Sequence, residues 1–154
     1  MSIEVVEFEG VRVAAVRHVG PYDQIKSAFM KLGQIAGPAG LFAHEGVRAV
    51  GVYHDNVMVT PAEELRSDAG VVLLDGVEVP AGLELVELGS GRYARYILVG
   101  SYDGIAGAWQ ELVARWLPAS GEQMGAAPCF EIYLNSPQDT PAEELETHLY
   151  LALG

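Results

Sequence analysis

The chain has a single cysteine, Cys129, and only 9 lysines and arginines against 21 aspartates and glutamates. One thiol cannot close an internal disulfide or furnish a multi-thiolate zinc site, a cysteine usage that fits a reducing compartment. The formal net charge of -12 opposes any broad attraction to nucleic acid phosphates or anionic lipid. Neither direct nucleic acid binding nor membrane association is therefore expected. No apolar run approaches the roughly 20 residues that a membrane helix needs. Met1-Ser2-Ile3-Glu4 lacks the basic-then-apolar opening of a signal peptide, so the expected location is cytoplasmic. What is present suits an ordinary globular core: 154 residues, of which 50% are hydrophobic and 19% charged.

The chain repeats itself at an offset of 80 residues, without a gap. Val19-Gly20-Pro21-Tyr22-Asp23 returns as Val99-Gly100-Ser101-Tyr102-Asp103, and Thr60-Pro61-Ala62-Glu63-Glu64-Leu65 returns intact as Thr140-Pro141-Ala142-Glu143-Glu144-Leu145. Glu4, Val6 and Glu7 reappear as Glu84, Val86 and Glu87. About 22 of roughly 72 paired positions are identical, and the register never slips. One domain, residues 1–154, is thus expected to consist of two copies of one unit, residues 3–74 and 83–154. The connecting segment 75–82 carries the loop punctuation Gly76, Pro80 and Gly82.

Each copy has the same coarse plan. Ile3–Phe8 and Val11–Val19 read as strands separated by a turn at Glu9-Gly10. In Tyr22–Ala36 the apolar residues Ile25, Ala28, Phe29, Leu32 and Ile35 recur at helical spacing, as do Ile105, Ala108, Trp109, Leu112 and Trp116 in the second copy. Asp23 and Asp103 suit the first turn, and Gly37-Pro38 and Pro118 should end the runs. Further strands are expected at Val47–His54 and Phe130–Asn135, and last strands at Gly70–Leu74 and Thr147–Leu153. Thr60 and Thr140 read as capping-box residues starting a short helical turn. The segments 37–46 and 119–128 read as surface loops, lids only by hypothesis. Two ββαββ repeats give an α+β fold with about eight mostly antiparallel strands and two main helices on one face.

A duplicated unit carries function where its copies differ. The sharpest mismatch is Gly51 against Glu131, within Gly51-Val52-Tyr53 and Glu131-Ile132-Tyr133. Glu131 stands in the otherwise apolar strand Cys129-Phe130-Glu131-Ile132-Tyr133-Leu134, and burying a carboxylate is costly unless a partner or ligand satisfies it. Alternation puts Cys129, Glu131 and Tyr133 on one face, places Tyr53 beside Gly51, and groups Tyr93 with Arg95 and His148 with Tyr150. Aromatic rings around one desolvated carboxylate suit flat, cationic organic molecules. An ion pair of Glu131 with Arg95 or Arg92 on the sheet is the competing reading, and both stay open at this point.

Other candidates carry less. His18, His44, His54 and His148 show no metal-ligand spacing, so no metal and no cofactor are expected. Ser90, Ser101 and Ser120 sit in no nucleophile elbow. Gly89-Ser90-Gly91 reads as a hairpin turn rather than a phosphate loop, because a strand follows it. Cys129 reads as a small buried hydrophobe. Trp109 and Trp116 lie on the apolar stripe of the second helix, but Trp109 corresponds to Phe29 and its added N–H could border a ligand cavity.

Together these residues resemble the GyrI-like (gyrase-inhibitor-like) small-molecule-binding family, related to the effector-binding domains of AraC-type and multidrug-responsive regulators. The resemblance covers nearly the whole chain. It is carried by His18-Val19-Gly20-Pro21-Tyr22, Gly51-Val52-Tyr53-His54-Asp55 with Thr60-Pro61 and Leu65-Arg66-Ser67-Asp68, then Gly100-Ser101-Tyr102, Trp109, Trp116-Leu117-Pro118 and Phe130-Glu131-Ile132-Tyr133-Leu134. It implies a curved sheet of two pseudo-symmetric halves with a ligand cleft between them. In drug-sensing relatives a buried glutamate among aromatics meets cationic compounds, and Glu131 matches that position. Some relatives resemble hydrolases that open the cyclopropane of DNA-alkylating compounds with a glutamate and an aromatic residue, positions matched by Glu131 and Trp109. The chain carries no helix-turn-helix or basic segment, so a free-standing module is expected.

The leading expectation is a binder of hydrophobic, cationic aromatic ligands. Glu131 would be the counter-charge, and Trp109, Tyr93, Tyr133, Tyr150 and Tyr53 the aromatic lining. The alternative is a hydrolase of strained electrophilic xenobiotics, in which Glu131 takes a proton from the attacking water and Trp109 assists. A third reading is a protein partner, either gyrase, which the chain would restrain, or a regulator.

Overall fold

The computed structural model describes residues 2–43 and 47–154. His44 and the end of the 37–46 segment lie outside the described residues. Eight strands are described: Ser2–Phe8 (β1), Val11–Val19 (β2), Ala49–Tyr53 (β3), Arg66–Leu73 (β4), Glu84–Leu88 (β5), Gly91–Val99 (β6), Cys129–Tyr133 (β7) and Glu146–Ala152 (β8). Lys26–Ala36 forms α1, and the second main helix begins with Ile105–Gln110 (α2). Every described strand pairing is antiparallel, and the fold is α+β as the repeat predicts.

The chain forms two compact units, Met1–Glu9 with Gly89–Gly154, and Gly10–Leu88. In the first the strands run β1-β6-β8-β7, and in the second β3-β4-β2-β5. Each unit therefore combines three strands of one sequence copy with one strand of the other. β1 pairs with β6, Val6 opposite Tyr93, and β5 pairs with β2, Val86 opposite Val13. This corrects the two turns expected at Glu9-Gly10 and Gly89-Ser90-Gly91. Neither closes a hairpin; each leads from one unit to the other. Gly10, at φ 90°, takes the left-handed conformation that such a redirection needs. The turn signal is local, whereas the choice of strand partner follows burial. Phe8 at the end of β1 lies 5.6, 5.0 and 5.4 Å from the rings of Tyr93, Phe130 and Tyr150.

In the second unit α1 lays Ala28, Leu32 and Ala36 on Ala14, Val16, Ala69 and Val71 of the sheet. The small side chains on both layers let the helix sit close to the strands. Val77 and Val79 of the inter-repeat segment, and Leu83 just after it, join this core, so that segment packs on the second unit. In the first unit Ala108 and Leu112 meet Ala94, Leu149 and Leu151, with Trp109, Trp116 and Cys129 around them.

The second helix departs from expectation at Pro118. The chain stays helical beyond it, through a π-helical stretch, Glu111–Trp116, and a last α-helical turn, Leu117–Ser120 (α3). The Leu117 N–H bonds to Leu112 O, five residues back. Such widening absorbs a ring that would clash with the carbonyl four residues earlier in a regular helix. Termination falls instead to Gly121, left-handed at φ 78°.

The 119–128 segment is tied down. The Gly125 N–H donates to Ala152 O and the Gly154 N–H to Gln123 O, both at 2.8 Å. The capping boxes also differ from the pattern. The short 3-10 turns Ala62–Glu64 and Ala142–Glu144 are capped at Pro61 and Pro141 with no side-chain bond, so Thr60 and Thr140 stand one residue too early to cap. β4 starts at Arg66, four residues before the expected Gly70, because Arg17, His18 and Val19 of β2 extend its ladder.

Candidate functional site

β7 brings the mismatched residue to the helix-covered face. Glu131 lies opposite Leu149 and Tyr133 opposite Thr147, on the face where Leu149 packs against α2. One turn into α2, Trp109 reaches over this strand. Its Nε1–H donates to Glu131 Oε1 at 2.5 Å, and the Tyr133 hydroxyl donates to Oε2 at 2.6 Å. The carboxyl group is thus bonded at both oxygens by neutral donors, in a residue only 2% exposed. Two such bonds hold the carboxyl group in one orientation.

A third aromatic residue, Tyr102, completes the cluster in this unit. Its ring centroid is 5.6 Å from that of Tyr133, and its hydroxyl contacts Asn135 O at 3.4 Å. Burial, and then the negative charge of Glu131, push its phenol above the ordinary tyrosine range. Tyr102 was not among the residues expected at the site. It has an identical counterpart, Tyr22, so comparing the copies for differences passes over it.

The structure separates Tyr93 and Tyr150 from Glu131. Tyr150 pairs with Phe130 across the β7–β8 ladder, and Phe130 points away from the face of its neighbour Glu131. Tyr93, Phe130 and Tyr150, with Phe8, form a buried ring cluster on the opposite face, in which Phe130 and Tyr150 stack at 4.7 Å and 16°. These two tyrosines therefore fill a core rather than surround the carboxylate. Alternation already places residues 130 and 131 on opposite faces. Only the register shows that Tyr150 sides with Phe130.

The arginine reading of Glu131 is overturned by the same geometry. Arg95 pairs with Glu4, and Arg92 pairs with Glu122 at 2.7 Å. Arg95 also lies opposite Tyr150, on the face away from Glu131. Cys129 packs with the α2 core, and burial pushes its thiol up.

Tyr53 belongs to the second unit, where the first-copy version of the site stands. Tyr22 and Tyr53 lie 4.9 Å apart, and the Tyr22 hydroxyl donates to Asp55 O at 2.7 Å. The tyrosine pair is therefore common to both copies, whereas Gly51 and Phe29 stand where the first unit has Glu131 and Trp109. The carboxylate and the indole N–H that binds it occur together in one copy only.

The second unit has its own buried charge on the face away from α1. Asp68, 1% exposed, lies 2.6 Å from Arg17 Nε and 2.5 Å from His54 Nε2. Burial pushes its carboxyl up, but the bonds from His54 and Arg17 outweigh that and hold it below the usual carboxylate range. Nothing in the sequence points to this cluster, because Asp68 lies before the strand expected at Gly70–Leu74. No helix among the described residues is long and apolar enough to cross a membrane.

Known proteins share this fold. A DNA gyrase inhibitor of Escherichia coli (strain K12) is 31% identical over 153 residues, covering 97% of this chain and 96% of that protein. The crystal structure of the EcmrR C-terminal domain matches with a TM-score of 0.75 at 16% identity, over 99% of this chain and 97% of that one. The structure of SAV2435 bound to tetraphenylphosphonium matches with a TM-score of 0.67 at 15% identity, over 100% and 94% of the two chains. The sequence matches the family described as the GyrI-like small molecule binding domain over residues 1–153. With a fold, a repeat and a family match that all span the chain, this protein belongs to the GyrI-like small molecule binding domain family.

Proposed function

We propose that the protein binds hydrophobic, cationic aromatic molecules, with Glu131 as counter-charge and Trp109, Tyr133 and Tyr102 as the aromatic surroundings. The observation that carries this reading is the buried Glu131 carboxylate, oriented at both oxygens by the Trp109 N–H and the Tyr133 O–H. These two donors fix the direction of the carboxyl group. Aromatic faces add attraction for a desolvated cation. The fold neighbour that holds tetraphenylphosphonium, a lipophilic aromatic cation, supports the same ligand class.

Titrating tetraphenylphosphonium and a rhodamine-type cation against wild type and Glu131→Gln tests the reading. The variant should bind at least tenfold more weakly, and equal affinity in both proteins would remove Glu131 from the mechanism.

Contact between Trp109 and Glu131 also supports a second reading, a hydrolase in which Glu131 accepts a proton from water as the water oxygen bonds to a cyclopropane carbon, while the ring C–C bond at that carbon breaks and its electron pair passes to the electron-withdrawing group of the substrate. Incubation with a cyclopropane-bearing alkylator distinguishes the two, since a binder forms no product above background. The name of the Escherichia coli relative supports a protein partner in addition to the small molecule, namely gyrase. Pull-down of purified gyrase by the protein checks that part.

A further inference from the structure

The turn after β3 exposes three apolar side chains in succession. Val57, Met58 and Val59 are 60%, 83% and 79% exposed. Single exposed apolar residues are ordinary on protein surfaces, but three adjacent ones at the tip of a turn form a contiguous patch.

The duplication supplies an internal control for this turn. Its counterpart in the second copy carries Pro137, Gln138 and Asp139 at the same three positions, all exposed. The two backbones are built alike. Val59 N and Thr60 N donate to Asn56 O at 3.2 and 3.0 Å, and Asp139 N and Thr140 N donate to Ser136 O at 3.2 and 2.9 Å. Side chains close both turns in the same way, with Asn56 Oδ1 accepting from Met58 N at 2.8 Å and Ser136 Oγ accepting from Gln138 N at 3.2 Å. The fold therefore does not require apolar residues here. The turn is held in shape by its own bonds and by the anchoring of Asp55 to Arg66 and Tyr22. An exposed methionine between two valines offers an adaptable apolar contact on a preformed support.

We infer that the Val57-Met58-Val59 tip is a docking surface for a partner protein, seated in an apolar socket with a basic rim. Charge decides among the occupants. Exposed Glu63 and Glu64 lie four and five residues after Val59, and the whole chain carries -12. A second copy would bring the same acidic residues to the contact, and an anionic membrane would repel them. A basic rim is complementary to both features and would steer association. The inference rests on the reading of gyrase as partner and adds the surface that meets it.

The test uses purified gyrase holoenzyme as probe. Wild type is compared with the variant Val57→Pro, Met58→Gln, Val59→Asp, which transplants the second-copy turn. A milder variant, Val57→Thr, Met58→Gln, Val59→Thr, guards against misfolding, and each variant is checked by tetraphenylphosphonium titration. The expected result is at least tenfold weaker binding of gyrase by both variants, with tetraphenylphosphonium affinity within twofold of wild type. Undiminished gyrase binding by the variants overturns the surface while leaving gyrase as partner. No gyrase binding by wild type overturns both, while the small-molecule reading stands on its own titration. The surface is equally overturned if the substitutions abolish instead self-association in ultracentrifugation or binding to phosphatidylglycerol vesicles.

Discussion

Trp109 and Glu131 are joined by a 2.5 Å hydrogen bond that their repeat counterparts, Phe29 and Gly51, have no atoms to make. Two positions far apart in each copy both differ between the copies, and the tertiary structure puts Trp109 and Glu131 in contact. The tyrosine pairs around them, Tyr22 with Tyr53 and Tyr102 with Tyr133, are alike in both copies. The repeat thus supplies a common aromatic frame, and one copy adds a bonded carboxylate to it.

Removing the indole donor should leave one oxygen of a buried carboxylate short of a hydrogen bond. Trp109→Phe is expected to destabilise the fold by about 1–3 kcal/mol, read by urea unfolding. The double variant Trp109→Phe with Glu131→Gly should cost less than the sum of the single changes, because its members share one interaction. Strict additivity would show that the bond contributes nothing.

The two faces of the first unit should respond differently to loss of a hydroxyl. Tyr133→Phe removes a donor to Glu131 and should weaken tetraphenylphosphonium binding several-fold. Tyr93→Phe and Tyr150→Phe lie in the opposite ring cluster and should leave affinity within twofold. Phe130→Ala, in the same cluster, should cost about 3–5 kcal/mol of stability through the cavity it leaves. A large affinity loss in Tyr150→Phe would place that residue at the site after all.

Asp68 makes stability depend on acid. Its folded carboxyl titrates below the usual range and its unfolded one near pH 3.9. Its stabilisation is therefore fully present above about pH 4 and is lost as pH falls from there through the folded value. Wild type should exceed Asp68→Asn by about 1–3 kcal/mol at pH 7, with the gap narrowing below about pH 4. Urea unfolding of both proteins between pH 7 and pH 3 checks the sign, and a gap that widens in acid would falsify the assignment.

Gly70 has no room for a side chain. A β-carbon there would lie 2.3 Å from Val13 Cγ1 and 3.1 Å from Ala14 O. Gly70→Ala should destabilise by about 1–3 kcal/mol through overpacking, and adding Val13→Ala should recover part of that loss. In the other copy the same two positions are Tyr150 and Tyr93, whose rings sit 6.1 Å apart and edge-on. No recovery in the double variant would locate the strain at the backbone contact with Ala14.

Much of the site is legible in the amino-acid sequence. The carboxylate at 131 and the indole at 109 stand out as repeat mismatches, and alternation along β7 puts Tyr133 beside Glu131. Tyr102 could not be found that way, since both copies have a tyrosine there. Tyr93 and Tyr150 share with the residues around Glu131 only that they are aromatic and lie in strands. Period-2 alternation groups residues within a strand but does not say which faces of separate strands coincide.

The amino-acid sequence by itself determined the duplication, the α+β class, the helix stripes and the carboxylate at 131 opposite Gly51, because each rests on spacing along the chain. Tertiary structure alone decided which strands pair. Glu9-Gly10 and Gly89-Ser90-Gly91 look like hairpin turns, yet β1 leaves β2 for β6 and β5 leaves β6 for β2. The turn signal is a local preference worth little, whereas drawing Phe8 among Tyr93, Phe130 and Tyr150 buries ring surface contributed by four strands. The second helix follows the same rule. Pro118 predicts an end, but the packing of Trp116 and Leu117 on the core carries the helix past it through a π turn. In both places burial summed over distant residues outweighs a signal confined to two or three neighbours.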